Sequence, residues 1–200
     1  LVLVVILVVG IFSYLSTQSG KKFLKSKVES YLTKKLQTRF TISSLDYTFP
    51  DNIILHQIYL EDQHQDTLLN GEQLTVNIAL VKLLFGDIDI RKIALKNMQV
   101  NLKRAEFDSV YNYQFIVNAF APAKTNKIVV KDTNALKLML RNLLLDHVSF
   151  NMEDQFGGSS IHAAVDSFNA QFKLFQADKF RFELDELIAE HINVSMTTYK

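Results

Sequence analysis

Between Asn52 and the end of the chain, many segments have apolar residues on every second position. Leu74, Val76 and Ile78 are separated by the polar residues Thr75 and Asn77. A period of two residues predicts β-strands with one apolar and one polar face. Because a sheet buries its apolar face against another layer, and few later segments have helical spacing, something other than helices is expected to cover this face.

The alternation predicts a mainly β domain over residues 39–200. The predicted strands are Phe40–Phe49, Ile53–Glu61, Glu72–Val81, Asp87–Leu95, Met98–Lys103, Leu143–Met152, Ser160–Phe175, Lys179–Leu187 and Ile192–Thr198. Turns are predicted at Asn70-Gly71, Phe49–Asn52 and Gly157-Gly158. Helical spacing predicts a short helix at Tyr113–Phe120, and Asn134–Arg141 fits either a strand or a helix.

Four short segments resemble one another: Leu55–Leu60, Leu95–Val100, Leu145–Phe150 and Ala189–Val194. The first three begin 40 and 50 residues apart. In each, the alternation slips by one residue in the middle, as it does at a β-bulge. Repeats of this size predict an elongated array in which each unit contacts mainly its neighbours.

An amphipathic helix is predicted over residues 20–38, starting at a cap formed by Ser19 or Gly20. Its apolar stripe is Phe23, Leu24, Val28, Tyr31, Leu32 and Leu36. The stripe indicates a helix that packs on the end of the sheet. Its many lysines also fit a helix that rests on anionic lipid headgroups, and the two interpretations are compatible.

The segment before this helix is uncharged and consists almost entirely of Leu, Val, Ile and Phe. This run, Leu1–Leu15, would span roughly 22 Å as a helix, which is short of the ~30 Å hydrocarbon core of a bilayer. We interpret the chain as a fragment and residues 1–19 as a truncated transmembrane anchor with its connector. A cleaved signal peptide and a buried helix are the alternatives. Anchor positions are Leu1, Val5, Ile6, Val9, Phe12 and Leu15.

Composition narrows the function more by exclusion than by indication. The net charge is +1, which gives no support to nucleic-acid binding, and the absence of cysteine excludes disulfides and thiolate chemistry. The cluster Glu61–Asp66 lacks recognisable metal-ligand spacing, so a loop exposed to solvent is favoured there. No catalytic motif is present, and we predict no enzyme activity, metal or cofactor.

Several segments together resemble the N-terminal region of TamB-type proteins of the AsmA-like superfamily, in particular the long forms of Bacteroidota. The matching segments are Phe40–Leu45, Ile58–Gln63, Asp66–Leu69, Val100–Arg104 and Tyr113–Ile116, preceded by the apolar run and the helix. The most distinctive part is Asp-x-x-x-Asp-Thr-Leu-Leu, from Asp62 to Leu69.

The resemblance implies a single-pass inner-membrane protein whose body extends through the periplasm as a long, curved antiparallel sheet, a β-taco groove of repeating units. It implies phospholipid transport between the inner and outer membranes in support of outer-membrane biogenesis. It also implies an Omp85-type outer-membrane partner, engaged by a C-terminal domain absent from this chain. The lysines after the anchor would alone favour a cytoplasmic body by the positive-inside tendency, and the resemblance overrides them.

The predicted partners are therefore phospholipid acyl chains and the inner membrane, with no nucleic acid. The groove candidates are Leu74, Val76, Ile78, Ile88, Ile90, Val100, Leu102, Val148, Phe150, Phe168, Phe172, Phe180, Phe182, Ile192 and Val194. Each of them also fits an ordinary core position. Two other functions stay open: a scaffold for β-barrel assembly that presents edge strands, and a membrane-tethered module with a closed apolar pocket of ~300–1,000 Å³.

Overall fold

A computed structural model describes residues 17–48, 51–78, 88–120, 136–176 and 181–199. The anchor positions between Leu1 and Leu15 lie outside these ranges, and so does Phe180. Within them, neither helix combines the length and the apolar character needed to cross a bilayer.

The chain is mainly β, as predicted, and forms one curved, unclosed sheet of eight strands. The strands are β1 (Phe40–Thr41), β2 (Ser44–Thr48), β3 (Asn52–Glu61), β4 (Thr67–Ile78), β5 (Ile88–Arg104), β6 (Leu136–Asp154), β7 (Ser159–Gln176) and β8 (Arg181–Thr198). Strands β1 and β2 both pair with β3, and the order then runs from β3 to β8 in sequence.

One pairing contradicts the prediction of a wholly antiparallel sheet. Strands β5 and β6 are parallel, with Ile93 opposite Leu143 and Arg104 opposite Asp154, whereas all other described pairings are antiparallel. A parallel pair needs a crossover of a dozen or more residues. The segment between Arg104 and Leu136 is long enough for this and contains the predicted short helix, α2 (Gln114–Phe120).

Two of the predicted breaks between strands do not exist. Strand β5 runs through the gap between Leu95 and Met98, and β8 runs through the gap between Leu187 and Ile192. The turn predicted at Asn70-Gly71 is also wrong, because both residues lie inside β4. The turn at Gly157-Gly158 is confirmed between β6 and β7, where Gly158 adopts a φ of +67°.

The predicted phase slip is confirmed, and its geometry differs from a bulge. The third residue of each repeat, namely Gln57, Asn97, His147 or His191, has a left-handed φ between 47° and 52°. Strand register continues past them without a shift: between β5 and β6, the residues flanking Asn97 and His147 stay paired. The left-handed residue therefore shifts the alternation of the side chains that follow it by one position, while the pairing of the backbones is unchanged.

The left-handed residues also follow strand direction. They lie on β3, β5, β6 and β8, which all run the same way, and none is found on β4 or β7, which run oppositely. The repeat thus marks direction along the sheet. Its spacing is irregular because a reversed strand or the crossover lies between successive copies.

The long helix is confirmed as α1 (Gln18–Leu36), but its cap differs from the prediction. Thr17 is the N-cap, and its Oγ1 accepts a hydrogen bond from the Gly20 N–H at 3.1 Å. The side chains that pack on the core are Leu24, Val28, Leu32 and Leu36. The predicted stripe was too wide, since Phe23 and Tyr31 are about half exposed. Helix α1 lies against β1, β2 and α2.

Gln57, Asn97, His147 and His191 lie in one row across the sheet, which we call the left-handed line. His147→Val tests this line, because a β-branched residue is strained at positive φ. We expect the free energy of unfolding to fall by about 1–2 kcal/mol, measured by urea denaturation. Ser149→Val, two residues along the same strand, is the control and should be neutral or stabilising. Equal effects at the two positions would contradict the left-handed geometry, and His147→Gly should stay within about 0.5 kcal/mol of the parent.

Gly71→Val tests why glycine occupies the middle of β4. A Cβ there would lie 2.6 Å from the Asn97 carbonyl oxygen and 2.7 Å from the Met98 Cα. Since backbone atoms cannot swing aside, we expect a loss of about 3 kcal/mol in unfolding free energy. Asn70→Val is the control, because Asn70 is exposed and points to the other face. A parent-like Gly71→Val would show that the strands are not in this close contact.

Candidate functional site

The main candidate is one apolar face that crosses the whole sheet. Side chains of residues opposite one another in register lie on the same face, so the register defines it. Before the left-handed line, one row is Leu45, Leu55, Leu74, Leu95, Leu145 and Phe168. Beyond the line, the rows are Ile58, Gly71, Met98, Val148, Val165 and Ile192, and Leu60, Leu69, Val100, Phe150, Ala163 and Val194. We call these rows and their continuations the apolar face.

The phase slip is what keeps this face continuous. Leu55 and Ile58 are three positions apart, so in a regular strand their side chains would point to opposite faces. Both are instead buried in the same core cluster, as are Leu145 and Val148. On β3, β5, β6 and β8, one left-handed residue thus leaves the apolar side chains on one side along the full strand length.

Most of the groove candidates lie on this face. Register places Leu74, Val76, Ile78, Ile90, Val100, Leu102, Val148, Phe150, Phe168, Ile192 and Val194 there. Ile88 pairs with Leu136 at the start of β5. Phe172 and Phe182 join it through an aromatic cluster that the sequence did not predict as a unit.

This aromatic cluster lies where the β7–β8 register shifts between Gln171 and Leu174. The ring of Phe175 lies 5.1 Å from the ring of Phe172 and 5.1 Å from that of Phe182, measured between centroids. Such contacts favour aromatic pairs beyond the area they bury. They tie the irregular end of β7 to β8.

Burial along the apolar face decreases towards β8. In a single row, the exposed fraction is 1% for Ile58, 1% for Val148, 8% for Val165 and 50% for Ile192. Val194 on β8 is 60% exposed. The central row of the face is therefore buried over β3 to β6, flanking positions such as Val76, Val100 and Phe150 are partly exposed, and the face is an accessible apolar surface at β8. Among the groove candidates, Val148 is an ordinary core residue, whereas Ile192 and Val194 are exposed and are not.

The opposite face is more polar. Its clearest row is Asn101, Asn151, His162 and Ser195, along a cavity of about 680 Å³. Asn151 Nδ2 donates to Asn101 Oδ1 at 2.9 Å, and His162 Nδ1 lies 2.5 Å from Asn151 Oδ1. One row of this face is mixed, namely Ile54, Thr75, Ala94, Leu144, Asn169 and Ile188.

Asp62, in the segment considered for metal binding, has a structural role. Its carboxylate accepts the N–H groups of His64 at 2.8 Å and Asp66 at 3.0 Å, and the Asn112 side-chain amide at 2.9 Å. It is 2% exposed, so the prediction of a solvated loop is wrong for this residue. Among the residues that the structure describes, no group of three His, Asp or Glu side chains is placed to hold a metal ion.

A second polar cluster fixes the end of the parallel pair. Asp154 is buried and accepts hydrogen bonds from both Nε and Nη2 of Arg104, from the Tyr111 hydroxyl at 3.1 Å and from the Gly157 N–H at 2.8 Å. The Arg104 guanidinium lies 4.9 Å from the ring centroid of Tyr111 and 4.8 Å from that of Phe156. The Arg104 hydrogen bonds are the main reason that the pKa of Asp154 falls to about 2.

Sequence reasoning missed this cluster. Arg104 and Asp154 are 50 residues apart, and only the parallel pairing makes them neighbours. The available signal was an aspartate three residues before a glycine turn, which is typical of a carboxylate that accepts a turn N–H. Nothing in the sequence indicated the arginine.

Comparison with known proteins adds no assignment. No family model matches the chain, and no curated protein is similar to it at a significant level.

Asp154→Asn tests the cluster through its pH dependence. Because the pKa of Asp154 is lowered to about 2 from an ordinary value of 3.8, its contribution to stability is complete above pH 4 and disappears as the pH falls through 2. The stability difference between parent and variant should therefore be largest near neutral pH and shrink between pH 4 and pH 2. Thermal unfolding at several pH values measures it.

Asp108→Asn is the matched control for this experiment. Asp108 is exposed on the connection after β5, so its variant should follow the parent at every pH. A difference for Asp154→Asn that stays constant down to pH 2 would contradict the role of the ionised carboxylate.

Proposed function

We propose that the apolar face binds phospholipid acyl chains and forms the membrane-proximal part of a lipid-transport groove of the TamB type. The observation that carries the proposal is the continuity of this face across the left-handed line, together with its accessibility at β8.

The energetics of lipid transport favour such a surface. Each CH₂ group gains about 0.8 kcal/mol on leaving water, so a phospholipid with two 16-carbon chains gains on the order of 20 kcal/mol. Release into water is correspondingly slow. A carrier must instead offer a path along which the free energy of the chains changes little, and uniform rows of Leu, Ile, Val and Phe offer one without any chemically special residue.

The placement of the helices supports one direction for the path. Helix α1 contacts β1 and β2, and side chains of α2 pack on the same core cluster, so the helices cover one end of the face. The other end, at β8, is open. Acyl chains would therefore occupy the face from the β8 side. In the proposed setting, α1 lies near the inner membrane, the sheet lies in the periplasm, and transport supports outer-membrane biogenesis.

Val76→Asp tests whether the apolar face binds lipid. The matched control is Thr75→Asp, which places the same charge on the opposite face of β4. A carboxylate among acyl chains is strongly unfavourable. We expect phospholipid per protein, measured by mass spectrometry after purification in mild detergent, to fall about tenfold for Val76→Asp and to stay at the parental level for Thr75→Asp.

Val194→Asp guards against loss of folding, because Val194 is exposed and its substitution leaves the core intact. Circular dichroism reports whether each variant is folded. Parental lipid content in a folded Val194→Asp together with a folded Val76→Asp would refute the proposal.

A scaffold for β-barrel assembly is the second candidate, and β8 is the observation that favours it. All residues of β8 are exposed, and among the described strands it pairs only with β7. A long free edge is suited to pairing with a strand of another protein. An Omp85-type outer-membrane partner would belong to either function.

Asn193→Lys separates the two functions, because a lysine on an edge strand opposes β-pairing while leaving the apolar face unchanged. Under the scaffold function, Asn193→Lys loses the crosslinks between β8 and substrate barrels. Under the same function, Val76→Asp keeps the parental lipid content. Under the lipid function, Asn193→Lys retains its lipid.

A further inference from the structure

Helix α1 has an outward face whose composition differs from its inward side. The exposed residues of this outer face are Lys22, Phe23, Ser26, Lys27, Ser30, Tyr31 and Lys34. Phe23 is 50% exposed and Tyr31 54%, whereas Leu24, Val28, Leu32 and Leu36 of the same helix pack on the core. Two large aromatic side chains among lysines are typical of helices that lie in a membrane interface.

The charges of α1 are sorted between its two sides. Glu29 is the only acidic residue of the helix, and its Oε1 accepts the Ile42 N–H at 2.9 Å and lies 3.4 Å from Lys25 Nζ. Lys21 is paired with Asp46 at 2.6 Å. The inward charges are thus neutralised within the protein.

The outer face, in contrast, carries cations alone. In the part of the chain that the structure describes, no carboxylate lies within ion-pair distance of Lys22, Lys27 or Lys34, and Lys27 instead lies 5.4 Å from the ring centroid of Phe23. The uncharged run Leu1–Leu15 ends only two residues before the Thr17 cap. The outer face is therefore complementary to a surface that is both anionic and apolar.

We propose that the outer face of α1 docks on the surface of an anionic bilayer. Phe23 and Tyr31 enter the headgroup region, and Lys22, Lys27 and Lys34 contact lipid phosphates. Each lysine near an anionic surface contributes roughly a fivefold preference for the docked state. Docking would fix the orientation of β1 and β2 relative to the membrane. This inference concerns α1 and does not depend on lipid binding by the apolar face.

The experiment uses the full chain in vesicles and exploits its lack of cysteine. Ser26→Cys carries a fluorophore on the outer face, and a quencher is attached to the lipid acyl chains near the headgroups. We expect quenching in phosphatidylcholine vesicles that contain phosphatidylglycerol, and much less in pure phosphatidylcholine or at high salt. Adding Lys27→Gln and Lys34→Gln should reduce the ratio of docked to undocked helix about 25-fold.

Lys96→Gln with Lys173→Gln is the matched control, since it removes the same charge from exposed positions on β5 and β7. This pair should leave the quenching unchanged. Equal quenching in neutral and anionic vesicles, or equal loss with either lysine pair, would overturn the proposal. Lipid content of the purified variants separates the two ideas, because Lys27→Gln with Lys34→Gln should not alter it even where docking is lost.

Discussion

The structure depends on one backbone constraint. The hydrogen-bonded pairing of the strands stays in register, while the alternation of side chains between the two faces shifts by one position. Gln57, Asn97, His147 and His191 satisfy it by adopting left-handed backbone angles. Without them, Leu55 and Ile58 would point to opposite faces, and neither face would be apolar along its whole length. The buried core and the more polar opposite face both follow from this arrangement.

Much of the fold was predictable, because alternation and helical spacing are local properties. They placed most strands, α1 and α2 close to their observed positions. The parallel pairing of β5 and β6 was not predictable, since it depends on where a crossover returns the chain. Gly71 shows a different limit: glycine fits a turn and a close contact equally well, and only the proximity of Met98 decides between them.

The candidate face was predictable as a face, and its accessibility was not. Val148 and Ile192 have the same apolar character and lie in the same row, yet one is buried and the other is half exposed. That difference depends on which strand lies at the edge and on which strands the helices contact. Asp62 adds a related point, because this first residue of the most distinctive segment accepts hydrogen bonds that hold the turn between β3 and β4, a role that the sequence did not indicate.

The link between the left-handed residues and strand direction restricts how such a protein can lengthen during evolution. A duplicated single strand joined by a tight hairpin would run in the reverse direction, and its inherited left-handed residue would be in a strand of the wrong polarity. Duplication of a two-stranded hairpin, or of one strand together with its crossover, preserves the polarity. The interval from β3 to β5 is an example of the first, and the interval from β5 to β6 is an example of the second. Any added segment must therefore preserve the direction of the strand that carries the left-handed residue, whereas its number of residues can vary.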